Sequence, residues 1–508
     1  MARTVWTERI SRRLSVKEST QTASPFDLDL DHKYLVYRRT KIVASIGPAS
    51  DSPAMLRKLI LQGMNVARIN FSHGDPGHHL EVMRRIRSVA AGLGKTVAIM
   101  GDLCGPKIRV GMFAGDAVTL KDKTRVWITT RQVMGTAELI PSQYPGIVSE
   151  VRVGDPILLD DGNLELRVLR KSGDKIEAYV LRGGVLKNKK GMNLPETKLN
   201  ISALTAKDKS DALYCIKGGV DYIALSFVRQ PSDILDLRRH LKRHNADIPI
   251  IAKIEKPEAL RNINGIMELV DGIMVARGDL GVELPTKKVP QIQNGLIQLA
   301  NYHDKPVIVA TQMLESMMEH SRPTRAEVSD VAGACMACAD AVMLSGETAA
   351  GKYPAESVGT MDAILRETEA YQFFSKGGLF RRHTSPTTST LLDAVGAATA
   401  QISRDLMART IFVLTRSGAT ARIISSDRPA APMFALTQSE NVARRMNLLW
   451  GVYPFLVKKN LSMEEYLKQG ERIIKKLNLA KSGDYIIMLS GLTSGNPTTN
   501  SLVVHRVS

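Results

Sequence analysis

Short apolar runs alternate along most of this chain with longer stretches of mixed polarity. The runs at 41–46, 66–71, 97–103, 222–227, 250–254, 272–276, 307–310 and 341–344 have the length of strands. They are apolar on both faces, as in a parallel sheet covered on each side. The stretches between them carry helix punctuation. Segment 51–62 starts at a predicted Asp51 cap and stops at Gly63, and 206–217, 232–244, 257–269, 287–303, 323–339 and 354–369 follow, several with Pro in the first turn. Eight such strands alternating with helices predict an α/β fold, a (β/α)8 TIM barrel.

The rhythm breaks between Asp102 and Leu199. There, short strand-like runs at 118–120, 125–129, 156–159, 164–169 and 175–180 are separated by turn clusters at 160–163 and 171–174. This predicts a small all-β domain inserted after the third barrel strand, placed to act as a lid. A Gly/Ser/Thr-rich linker is expected at 373–389, and beyond it helices and strands resume as a C-terminal α/β domain. The expected division is a flexible extension at 1–37, a catalytic barrel at 38–104 and 198–372, an inserted β-barrel lid at 105–197 and the C-terminal domain at 373–508.

The chain has 508 residues, enough for several domains, and a formal net charge of +18. Its basic residues are scattered and aromatics make up only 5%, so anionic small molecules fit the charge better than nucleic acid. No apolar run reaches the ~20 residues needed to span a bilayer. Cys335 and Cys338 form a C-x-x-C inside a predicted helix rather than at its N-terminus, which suits reduced buried thiols, not a redox pair. The first residues mix Arg3, Arg9, Arg12, Arg13 and Lys17 with Ser and Thr, but Glu8, Glu18 and three nearby Asp oppose a transit peptide. A flexible extension on a cytoplasmic protein is expected, with organelle targeting as the alternative.

Polar groups gather where the predicted strands end. Arg68, Asn70 and Ser72 share a face at the second, Asp102 ends the third and Ser226 closes the fourth. Lys253 and Glu255 end the fifth two residues apart, Gly278 and Asp279 follow the sixth, Thr311 the seventh, and Ser345 and Glu347 the eighth. In barrels of this kind catalytic groups lie at that end. A lysine with two carboxylates there suits a divalent metal and a phosphoryl group. Taken singly, Lys253–Glu255 also reads as a structural ion pair, Asp279 as a helix cap and Thr311 as a satisfied hydroxyl.

The segments Asn70-Phe71-Ser72-His73-Gly74, Gly105-Pro106-Lys107-Ile108-Arg109, Ala252-Lys253-Ile254-Glu255, Ala276-Arg277-Gly278-Asp279, Ala310-Thr311-Gln312-Met313 and Leu344-Ser345-Gly346-Glu347 resemble pyruvate kinases. The resemblance runs from about Arg38 almost to the C-terminus. It implies phosphoryl transfer from phosphoenolpyruvate to ADP, giving ATP and pyruvate. It implies Mg2+, or Mn2+ in its place, on Glu255 and Asp279, with Lys253, Arg68 and Thr311 catalytic and Gly278 leaving room for the substrate carboxylate. It implies nucleotide contacts from Asn70, Ser72, His73, Arg109 and Lys207, and a homotetramer. Many relatives hold a structural K+ with groups matching Asn70, Ser72, Asp102 and the Leu103 carbonyl, and usually carry Glu where this chain has Lys107. That departure predicts K+-independent activity. Thr415, Ser417 and Thr420, at a strand-to-helix turn, form an expected effector cup for a phosphorylated metabolite, making the last domain regulatory. A metal-dependent barrel lyase or aldolase, and an RNA-binding protein on an enzyme scaffold, are the competing readings.

Overall fold

A computed structural model describes residues 37–374, 390–457, 463–477, 479–490 and 501–507. The N-terminal extension at 1–36 and nearly all of the expected linker, 375–389, lie outside the described residues. Strands Lys41–Ile46, Val66–Asn70, Ala98–Asp102, Tyr222–Leu225, Ile250–Ile254, Gly272–Ala276, Val307–Ala310 and Ala341–Leu344 are parallel, pair in sequence order and close first to last into a barrel. Each ends at or before its predicted limit.

Two apolar layers hold the barrel. Ile250, Ala252 and Ile254 pack outward with Ile266 and Leu296 of the surrounding helices. Ile251 points inward, to a core shared with Val43, Met100, Met274 and Met343. Strand alternation therefore directs Lys253 and Glu255 inward as well, above the last apolar layer. Leu448, from the C-terminal domain, joins this inner core.

Several helix limits differ from the sequence reading. Ser52, not Asp51, caps helix Pro53–Gln62, its side chain accepting from the Met55 amide. Asp51 instead engages His78 and Arg85. Helix Arg325–Met336 starts behind a Thr324–Glu327 capping box, so Pro323 lies outside it. Segment 257–269 is split at Asn262 into two short helices. The last barrel helix continues to Phe374, past the expected limit at 369.

The inserted segment forms a six-stranded sheet and a two-stranded ribbon around its own core of Val110, Ile128, Ile157, Leu166 and Val180. Strands Leu139–Pro141, Gly184–Lys187 and Met192–Asn193 were not expected; the first and last are too short to carry an apolar pattern. The C-terminal domain is a five-stranded sheet with strand order Val452–Leu456, Met433–Thr437, Ile411–Leu414, Tyr485–Ser490 and Ser501–Arg506, only the last antiparallel. It is fixed to the barrel by ion pairs, Arg428–Asp340 at 2.8 Å between buried groups and Arg444–Asp221 at 2.9 Å with Asp221 buried. Lys41 is fully buried there, its ammonium on the Val452 carbonyl at 2.6 Å and over the Tyr453 ring.

Candidate active site

The C-terminal ends of the second to fifth strands bring a charged cluster together. Asp102 is buried and receives Arg68 Nε at 2.7 Å. Arg68 also donates to Ser45 Oγ at 2.8 Å. Lys253 Nζ stands 2.9 Å from Glu255 Oε1, 3.4 Å from Asp102 Oδ1 and 2.7 Å from Ser226 Oγ. The Phe227 amide donates to the second Glu255 oxygen at 2.9 Å. Lys253 and Glu255 thus do form an ion pair, but one open to a second carboxylate, Asp102, and a hydroxyl.

Burial and charge oppose one another in this cluster. Burial pulls the Lys253 pKa down, but Asp102 and Glu255 outweigh it and raise the value above that of ordinary lysine. For Asp102, burial is outweighed by Lys253 and Arg68, and its pKa is lowered. Glu255 goes the other way. Burial raises it, and Asp279 adds to that against the pull of Lys253. Glu255, with the charge of Asp279 working against its own, and Asp279 beside it form a donor set suited to a divalent metal. Among the described residues no group of three or more His, Cys, Asp or Glu could hold a metal. Glu255 and Asp279 could hold Mg2+ as a pair, leaving coordination sites for substrate oxygens and water.

Beside them, the Gly278 amide donates to Thr311 Oγ1 at 2.7 Å, and the hydroxyl donates to the Ala310 carbonyl at 2.6 Å. Thr311 has φ 70°, unusual for a β-branched residue and costing about 1–3 kcal/mol. A Cβ on Gly278 would lie 3.3 Å from the Thr311 hydroxyl, so glycine keeps this approach open. Arg277 holds the turn in place, donating to the Thr311 carbonyl at 2.7 Å and pairing with Asp330 at 2.5 Å. Asp279 lies in the first turn of helix Arg277–Glu283, where Ala276 is the N-cap, so it is not the cap.

On the other flank, Asn70 accepts from the Ser72 amide at 3.1 Å. Lys207 donates to the Phe71 carbonyl at 2.7 Å and to Asp211 at 2.5 Å, so it is more than a solvated first-turn lysine. His73 is held below its ordinary pKa by burial and then by Arg109, Lys107, Arg68 and Lys207. These cations surround one histidine, an electrostatic setting suited to a polyanion. Arg109 reaches the Lys189 carbonyl at 2.9 Å, inside the inserted segment. The Leu103 carbonyl accepts from Ser226 Oγ at 2.7 Å.

Thr415, Ser417 and Thr420 lie far along the chain, at the turn into helix Ala419–Ser426. Thr415 Oγ1 accepts from Gly418 N at 3.0 Å and Ser417 Oγ from Ala419 N at 3.4 Å. Gly418 has φ 86°, a backbone that favours glycine. Cys335 is buried near the end of its helix and Cys338 half-buried beyond it, both free.

The sequence reading missed Ser45 and Arg277 as site residues. Ser45 was detectable as the one hydroxyl in an apolar first strand; nothing about Arg277 distinguishes a clamp from a solvated arginine.

The chain matches two family models, pyruvate kinase barrel domain over residues 37–358 and pyruvate kinase alpha/beta domain over 393–505. It is 45% identical over 475 residues to pyruvate kinase of Geobacillus stearothermophilus, covering 93% of this chain and 81% of that protein. It is 45% identical over 474 residues to the Staphylococcus haemolyticus enzyme, covering 92% and 80%. A crystal structure of a pyruvate kinase from Cryptosporidium parvum superposes with TM-score 0.88 at 34% identity, covering 96% of this chain and 100% of that one. The chain belongs to the pyruvate kinase family. It is a phosphotransferase that uses phosphoenolpyruvate and ADP and forms pyruvate, and the family generally uses Mg2+.

Proposed function

We propose that phosphoryl transfer in this enzyme is carried out by Lys253 and Arg68 beside a metal on Glu255 and Asp279. The observation that carries this reading is the Lys253 ammonium, 3.4 Å from Asp102 and 2.9 Å from Glu255 at the mouth of the barrel. Its raised pKa keeps it cationic at neutral pH, ready to meet the charge of the transferring group. Arg68, aimed by Asp102 and Ser45, offers its planar fork to the same phosphoryl oxygens. Bound Mg2+ would add Lewis-acid neutralisation of that charge. The Gly278 amide orients the Thr311 hydroxyl, which supplies or relays the proton to the enolate left behind. Asn70, Ser72, His73, Arg109 and Lys207 receive the nucleotide phosphates, Arg109 arriving with the inserted domain.

The same reading assigns 38–104 and 198–372 to catalysis, 105–197 to a lid and 373–508 to regulation. It makes activity K+-independent. Asp102 already carries two cations, and Lys107 acts on His73, next to Ser72. Thr415, Ser417 and Thr420 take a phosphorylated effector, and the enzyme works in the cytoplasm as a homotetramer. No helix among the described residues is long and apolar enough to cross a membrane. Glu255→Gln and Asp279→Asn test the metal assignment. Each should raise the Mg2+ concentration for half-maximal rate by about tenfold or more; an unchanged requirement in both would overturn it.

A further inference from the structure

Behind the metal carboxylates lies a second ion pair, which the mechanism above does not use. Lys256 Nζ meets Glu283 Oε1 at 2.6 Å, with side chains only 7% and 1% exposed. Asn193 Nδ2, from the inserted domain, donates to the same oxygen at 2.8 Å. Glu283 Oε2 is buried without a hydrogen-bond partner. A buried pair with an unsatisfied oxygen is a poor source of stability, and well-packed apolar residues often do as well. Its placement gives it another use. Lys256 directly follows Glu255, and Glu283 lies four residues, about one helical turn, after Asp279 on the same helix. The pair therefore closes a ring from the fifth-strand carboxylate to the sixth-strand carboxylate. The Lys256 ammonium also lies 5.7 Å from the centre of the Phe227 ring, and the Phe227 amide holds Glu255 at 2.9 Å. Asn193 sits on strand Met192–Asn193, paired to Leu158–Leu159 of the inserted sheet, so the ring has one attachment to the lid.

We propose that Lys256 and Glu283 are positioning residues that set the spacing of Glu255 and Asp279 for a divalent metal, and that Asn193 makes this spacing depend on where the inserted domain sits. The inference rests on the assignment of Glu255 and Asp279 as metal ligands. In this proposal Lys256 and Glu283 are not ligands themselves; they act through the backbone on either side of the ligands. Partners of this kind behind a metal site typically alter affinity by about 10–100-fold when removed.

The test is Mn2+ binding to the full-length protein without nucleotide or phosphoenolpyruvate, read by electron paramagnetic resonance, with the thermal midpoint measured in parallel. Lys256→Met alone strands a buried carboxylate and endangers folding. The double variant Lys256→Met/Glu283→Gln removes the pair without stranding a charge. It is expected to keep a parent-like thermal midpoint while Mn2+ binding weakens by about tenfold or more. A folded double variant that binds Mn2+ within about twofold of the parent overturns the proposal. Should the double variant not fold, Asn193→Ala decides: weakening by about threefold or more supports the lid attachment, and unchanged binding overturns it. Asp279→Asn separates the two layers of the argument. If it leaves Mn2+ binding intact, the ligand assignment itself fails. If it abolishes binding while the double variant binds normally, only the positioning role fails.

Discussion

Replacing Lys253 with methionine removes the ammonium and keeps much of the side-chain volume. In the native site that ammonium faces Glu255 at 2.9 Å and Asp102 at 3.4 Å, so it is already desolvated and held in place by anions. A phosphoryl oxygen at comparable reach, about 4 Å with an effective dielectric of about 20, would interact with it by about 4 kcal/mol. At about 1.4 kcal/mol per decade, losing this in the transition state slows turnover by about a thousandfold. The metal site should respond in the opposite direction. Glu255 and Asp279 lose a competing cation, so a divalent ion binds as tightly as before or more tightly. The assay follows pyruvate and ATP release together at saturating Mg2+, with Mn2+ binding measured on the same preparation. A kcat within about tenfold of the parent would refute the electrostatic role. Loss of Mn2+ binding would show that Lys253 organises the carboxylates instead of serving the phosphoryl group.

Four further outcomes are expected. Thr311→Ala should slow solvent-proton incorporation into pyruvate more than it slows phosphoryl transfer, measured by single-turnover quench; equal slowing of both steps would remove Thr311 from the protonation role. Parent activity should be the same in potassium and tetramethylammonium buffers, and Lys107→Glu should create a K+ requirement; a tenfold K+ stimulation of the parent would end that reading. Ser417→Asp should abolish the response to whichever phosphorylated metabolite activates or inhibits the parent, and an unchanged response to every one tried would exclude the cup. Burial, followed by repulsion from Arg38 and opposed by Glu369, holds Lys41 at about 7. Between that value and the ordinary lysine range the unfolded chain binds one more proton than the native protein, so stability rises with pH across this window. Lys41→Met should flatten that rise in denaturant titrations, and a slope equal to the parent's would refute it.

Much of the site could be read before any coordinates, because barrel topology turns sequence position into location. A polar residue just after an apolar strand must emerge at the one end where all strands finish. This is why Arg68, Asp102, Ser226, Lys253 and Glu255 meet as the pattern implies. Helix starts were less legible. Asp51 and Ser52 are both good caps, and the choice between them was made by His78 and Arg85 across the structure. The three unexpected strands of the inserted domain carry no clear period of their own and are held by their neighbours.

The order of apolar and polar residues by itself fixed eight strands, their inward and outward faces and the end at which chemistry gathers, since these follow from local backbone geometry and burial. Tertiary structure alone decided which charge serves which. Asp102 aims Arg68 and restrains Lys253, Gly278 aims Thr311 across a turn, and Glu283 joins Lys256 to Asn193 from another domain. Those pairings depend on distances between residues remote in the chain and on the loss of water around them, and both arise only when the barrel closes.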